Sequence, residues 1–136
     1  MAQDAGRTRD DVVRWADTLY SEHVDYKDAG GFAAAFTQDG TLRFGNSDTI
    51  VGRDAIQVAI AQFFSAFKSL RHHSGRTWMD GDIVVLEAVV TYIRHDGQEV
   101  TVPAVTIFHL VPINVSSTPL ADECRIYVDL TPLFAP

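Results

Sequence analysis

Cysteine is nearly missing from this chain: Cys124 is the only one in 136 residues. That excludes an internal disulfide and every zinc site built on paired cysteines. Positive charge is also scarce. Lys and Arg number 11 against 18 Asp and Glu, a net charge of −7 with neutral His. Nucleic-acid phosphates and anionic membranes repel such a chain, so neither is expected as a partner. Long apolar runs are absent. The stretch from Ile83 to Ile93 is broken by Glu87 and is too short to span a bilayer. Met1 to Asp10 is polar, carries both charge signs and lacks the apolar centre of a signal peptide. A soluble, cytoplasmic protein is expected. No Ser or Cys nucleophile motif occurs, and Gly52-Arg53-Asp54 lacks the glycine spacing of a phosphate loop. The adjacent His72 and His73 point to opposite faces of a regular strand, so they cannot share one ion. Neither a metal nor a cofactor is expected.

What is present suits one α+β domain over residues 1–136. Apolar residues make up 46% of the chain and charged ones 21%, enough for a packed core. At this length folding buries roughly two-thirds of the unfolded surface, so the core needs no staple. Val12, Ala16, Leu19 and His23 recur at helical spacing, predicting a helix from Asp10 to Tyr26. Thr8 with Asp11 resembles a capping box at its start. Gly30-Gly31 ends that region, and a short helix is expected around Phe32 and Phe36. Asp39-Gly40 reads as a turn, Thr41 to Asn46 as a strand and Ser47 to Gly52 as a loop. Ile56, Ile60, Phe63 and Phe67 predict one buried stripe on a helix from Asp54 to Phe67.

An antiparallel meander is expected next: Leu70 to Met79, Ile83 to Arg94 and Val100 to Val111. Its joints are Asp80-Gly81 and Asp96-Gly97, and Gly there accepts the positive φ of a tight hairpin turn. A loop from Pro112 to Pro119 leads to a last strand, Glu123 to Leu130, and then a tail. Helices followed by a twisted sheet predict helices covering the concave face, with an apolar pocket between the layers.

Several motifs carry a family resemblance over nearly the whole chain. Phe32-Ala-Ala-Ala-Phe36 followed by Gln38-Asp39-Gly40-Thr41-Leu42 resembles the second helix and first strand of the NTF2-like superfamily. Val51-Gly52-Arg53-Asp54-Ala55-Ile56 resembles one of its helix starts. Arg125-Ile126-Tyr127-Val128-Asp129-Leu130 resembles the last strand of its SnoaL-like branch. The resemblance implies a cone-shaped α+β barrel, N-terminal helices on a strongly curved antiparallel sheet, and a homodimer paired through the outer face of the sheet. Superfamily members include steroid isomerases, polyketide cyclases, limonene-epoxide hydrolases, scytalone dehydratases and transport factors, so the fold alone does not fix the activity.

Residue by residue, the resemblance is uneven. Limonene-epoxide hydrolases use a Tyr and an Asn where this chain has Phe44-Gly45-Asn46, and Ala88 and Val90 stand in place of their Arg and Asp. Tyr20 falls at the first-helix Tyr of ketosteroid isomerases, whose general base has no carboxylate counterpart here. In scytalone dehydratase an Asp on the first helix pairs with sheet histidines. Val24-Asp25-Tyr26-Lys27-Asp28 and His72-His73-Ser74-Gly75 resemble those segments. Asp129 is nearest to the late Asp that serves as acid/base in SnoaL-like cyclases.

These residues define the expected site. Asp129 stands between Val128 and Leu130. If it faces an apolar cavity its pKa rises, which suits acid/base work; otherwise it caps backbone donors or faces solvent. His73 is expected to be the pocket member of the histidine pair and to shuttle protons with Asp129. Tyr20 and Asn46 are expected to hold a carbonyl or enolate oxygen, with Phe44, Trp78 and Tyr92 as substrate-binding walls. Glu22, Asp25 and Asp28 on consecutive turns read as a solvated face. The expected function is a cofactor-free pocket for a small, mostly apolar, oxygenated molecule. As an enzyme it would be an isomerase, cyclase or lyase using Asp/His acid/base chemistry; the alternative is a non-catalytic binding module on the same fold.

Overall fold

Thr8 begins the first helix as the spacing predicts: its hydroxyl accepts from the Asp11 N–H at 3.1 Å. The structure, a computed structural model, describes residues 6–136, with Ser74 described by its backbone alone. The first five residues of the polar segment Met1 to Asp10 lie outside the described residues. Helix α1 runs Arg9–Thr18 and buries Val12 and Ala16. It does not continue unchanged to Tyr26. The chain widens into a π-helical turn, Leu19–His23, then tightens into a 3-10 turn, Val24–Tyr26, and stops at Lys27 with φ 59°. One wide turn brings residues five apart onto the same side. Leu19 and Val24 therefore both reach the core, and Tyr20 and Asp25 follow them round.

Helix α2 spans Ala29–Ala33, capped by Asp28, whose side chain accepts from the Gly31 N–H at 3.0 Å. It ends before Phe36, which already starts strand β1, Phe36–Phe44. The expected turn at Asp39-Gly40 thus lies inside a strand, where the pairing register shifts between Phe36 and Thr41. The predicted loop contains a two-residue strand β2, Ile50–Val51, paired with β1. Helix α3, Arg53–Phe64, buries Ile56, Ile60 and Phe64, and Phe67 is fully buried just beyond its end. Arg53 fastens its start to β1 by donating to the Phe36 carbonyl at 2.9 Å and 2.6 Å.

The meander forms as expected: β3 Ser69–Asp80, β4 Ile83–Ile93 and β5 Glu99–Leu110. Gly81 and Gly97 take φ of 59° and 87° at its two hairpin turns. Strand β6, Ala121–Val128, inserts between β1 and β5, giving the order β2-β1-β6-β5-β4-β3. It runs antiparallel to β5 but parallel to β1, so the sheet is mixed rather than wholly antiparallel. The α+β architecture with N-terminal helices is as expected, while the curved sheet stays open instead of closing into a barrel. Val84, Leu86, Val90 and Tyr92 on β4 alternate inward with Val100, Val102, Phe108 and Leu110 on β5. The expected tail forms a short helical turn α4, Thr131–Phe134, which buries Leu133.

Candidate functional site

A cavity of about 600 Å³ opens between α1 with its π-helical turn and strands β3, β4 and β5. Val13, Ala16, Leu86, Ala88 and Ala104 give it apolar walls; Arg9, Asp17, Arg76 and Glu87 bring charge of both signs; Tyr20, Asp25 and His72 supply chemistry. Among the described residues, no helix is long and apolar enough to cross a membrane, and no group of three or more His, Cys, Asp or Glu could hold a metal ion.

Asp25 and His72 form the centre of the site. The Asp25 carboxylate accepts the His72 backbone N–H at 3.1 Å and 3.2 Å and meets the ring Nδ1 at 2.8 Å. Both side chains are largely buried, 15% and 17% exposed. A carboxylate can only accept, so the proton sits on Nδ1, and Nε2 is left to take or give one. The Tyr20 ring lies against the imidazole, with centroids 4.5 Å apart. Burial pushes the Tyr20 hydroxyl well above the ordinary tyrosine value, the nearby Cys124 thiol and Asp25 carboxylate add to the rise, and the Thr106 hydroxyl opposes it. Tyr20 therefore stays protonated as a hydrogen-bond donor.

The sheet makes this arrangement through an irregularity. Pairing of β3 with β4 is regular from Ser69 to His73, shifts, and resumes at Arg76. Before the shift His72 lies opposite the buried Val90 and so faces the helices, and His73 lies opposite Val89 on the other face. His73, expected as the pocket member, is among the residues lining the cavity, but it stands on the opposite face of the strand from His72, and its Nε2 bonds the Thr91 hydroxyl at 3.0 Å. Asp25 is not part of a solvated face either. The π-helical turn rotates it inward, a local rearrangement that helical spacing cannot show. The signal that did exist was the likeness of the segments around Asp25 and His72 to the Asp and His of scytalone dehydratase.

Tyr20 and Trp78 are among the residues lining the cavity, Trp78 standing 48% exposed at its edge opposite Val85. Phe44 and Tyr92 line a smaller adjoining space instead. Burial, with the Asp25 charge, pushes the Tyr92 hydroxyl up to about 12. Asn46 is exposed in the turn after β1 and touches neither space. Asp129 is exposed just past β6, where its carboxylate accepts the Thr131 N–H at 3.0 Å. Hydrogen bonds from the Thr131 side chain and backbone hold it below the usual carboxylate value, as for the capping alternative and not for a carboxylate facing a cavity. The structure does not bring Asp129, His73 and Asn46 together; it brings Tyr20, Asp25 and His72 together.

Helices over an open curved sheet with a cavity between them define the NTF2-like fold class. The model of the SnoaL-like domain matches residues 12–111, and the chain belongs to that family. A search of curated proteins finds no match. Among solved structures, a candidate SnoaL-like polyketide cyclase from Jannaschia sp. CCS1 is similar at 22% identity and a TM-score of 0.77, over 98% of this chain and 99% of that one. ActVI-ORFA from Streptomyces coelicolor matches at 20% identity and 0.74, over 88% and 96%. A protein of ketosteroid isomerase-like fold from Catenulispora acidiphila, bound to trimethylamine, matches at 19% and 0.70, over 92% and 89%. At these identities the likeness is one of fold.

Proposed function

We propose that this SnoaL-like protein is a cofactor-free acid/base catalyst acting on a small, mostly apolar, oxygenated substrate in the cavity over β3, β4 and β5. The observation that carries this reading is the Asp25–His72 pair set in the cavity wall beside Tyr20. His72 Nε2 takes a proton from a carbon next to a carbonyl. The electron pair moves onto the carbonyl oxygen, and the Tyr20 hydroxyl donates to the oxyanion so formed. Asp25 stabilises the imidazolium and holds the ring in place. Return of the proton from Nε2 to another carbon completes an isomerisation; its delivery to a leaving hydroxyl completes a dehydration. The complex of the Catenulispora relative with a small amine supports a ligand-sized interior on this fold. A homodimer through the outer face of the sheet, in the cytoplasm, completes the reading.

Deuterium wash-in tests it. Small cyclic ketones and enones are incubated with the protein in D2O and followed by NMR. Exchange above the buffer rate, lost in His72→Gln with the circular dichroism unchanged, is the expected result. Exchange at the buffer rate in the native protein favours the second reading, ligand binding without turnover. That reading draws on the exposure of Asp129 and Asn46, two groups that working relatives would use.

A further inference from the structure

Beside the tilted ring pair of Tyr20 and His72 lies a second space of about 50 Å³. Tyr20, His72, Ala104 and Thr106 line both this space and the main cavity, so the two adjoin across these four side chains. The chemistry changes from one to the other. The outer cavity carries Arg9, Asp17, Arg76 and Glu87. The inner space is walled by Phe44, Phe63, Val90, Tyr92, Ile126 and Val128, and no Asp, Glu, Lys or Arg lines it. Packed interiors leave few voids larger than one water, so a space of this size beside a cavity stands out. It accommodates roughly three or four non-hydrogen atoms. Phe63 is one of its walls, and its ring is held among Phe44, Phe67 and Tyr92 with centroids 5.2, 5.1 and 6.3 Å away.

We propose that the inner space is a length-limited pocket for a short apolar terminus of the ligand, and that Phe63 sets the limit. The inference rests on the reading that the outer cavity holds the ligand. A molecule seated this way keeps its oxygenated part beside His72 and Tyr20 and passes an alkyl or alkenyl arm over Ala104 and Thr106. A charged terminus is rejected, because it would lose its water with no partner in exchange. A longer arm must displace the Phe63 ring from a cluster that holds it on three sides. The ligand class is therefore a compact oxygenated molecule with one short hydrocarbon arm.

The test is calorimetric titration with phenol and its 4-methyl to 4-hexyl homologues. In the native protein, affinity should rise about fourfold per added carbon up to roughly three carbons and then fall. Phe63→Ala should move the maximum outward by two carbons or more, and the milder Phe44→Leu by about one. The native series alone decides the matter if Phe63→Ala does not fold. An unbroken rise through the hexyl homologue, indifference to chain length, or no binding of any homologue at millimolar concentration overturns the proposal. His72→Gln should weaken every homologue alike and leave the maximum in place. If deuterium wash-in fails while the chain-length maximum stands, only the catalytic reading falls.

Discussion

Asp25 takes two N–H groups from one residue: the backbone and the ring of His72 both point at its carboxylate. The double contact ties the π-helical turn after α1 to strand β3 and fixes the imidazole in one tautomer. It also explains why a carboxylate on the first helix region is buried at all. A buried charge is stable only when paired and hydrogen-bonded, and His72 provides both on one residue.

Replacing the carboxylate should separate orientation from folding. Asp25→Asn keeps an oxygen for one N–H but loses the charge that fixes the tautomer. The deuterium wash-in rate should fall by about 100-fold or more. Urea unfolding should show a loss of roughly 1–3 kcal/mol, because a buried donor is left poorly satisfied. An unchanged rate would remove Asp25 from the mechanism.

Asp129 should behave as a surface residue. Its folded pKa lies below the ordinary 3.8, so its contribution to stability is present above that value and is lost as pH falls through the folded one. Asp129→Asn should flatten the acid limb of the stability curve and leave wash-in untouched. An NMR titration placing the carboxyl above 3.8, or a loss of turnover in the variant, would restore Asp129 as the acid/base.

Tyr92 gives the alkaline side. Its hydroxyl is raised from 10.0 to about 12 and the ring is almost fully buried. Between those values the unfolded chain loses the proton and the folded one keeps it, so unfolding gains. The stability is fully present below pH 10 and declines as pH rises through 12, by about 3 kcal/mol in total. Thermal melts from pH 9 to 12 should show a shallower decline in Tyr92→Phe. Equal slopes in the two proteins would mean that Tyr92 ionises in the folded state as freely as in the unfolded one.

The outer face of the sheet is the proposed dimer contact. Val85, Val89, Val105 and Ile107 stand there half-buried, with Trp78 and Tyr127 exposed beside them. Sedimentation should give twice the 15.0 kDa of one chain. Val105→Arg should give a monomer with an intact cavity. A native protein that sediments as a monomer would remove the contact.

The sequence by itself determined the parts of this protein that depend on local chemistry. The Thr8 cap, the buried Ile56 and Ile60 of the predicted stripe, the glycine turns at Gly81 and Gly97, and the order of helices and meander are all legible in it, whereas Phe63 of that stripe is only half-buried and Phe64 takes the buried place. Each rests on contacts within a few residues or on a simple period. Tyr20 was legible as lying on the packed side of the first helix, and it stands among the residues lining the cavity. Tertiary structure decided the rest. Whether His72 or His73 faces the helices depends on the register of β3, which shifts between His73 and Arg76. Whether Asp25 faces in or out depends on the wide turn at Leu19–His23, which ideal helical spacing does not contain. Asp129 lies beyond the end of β6, so the apolar residues on either side of it carry no cavity with them. Period and propensity place a residue on its element; only packing between distant segments decides which side chain meets which.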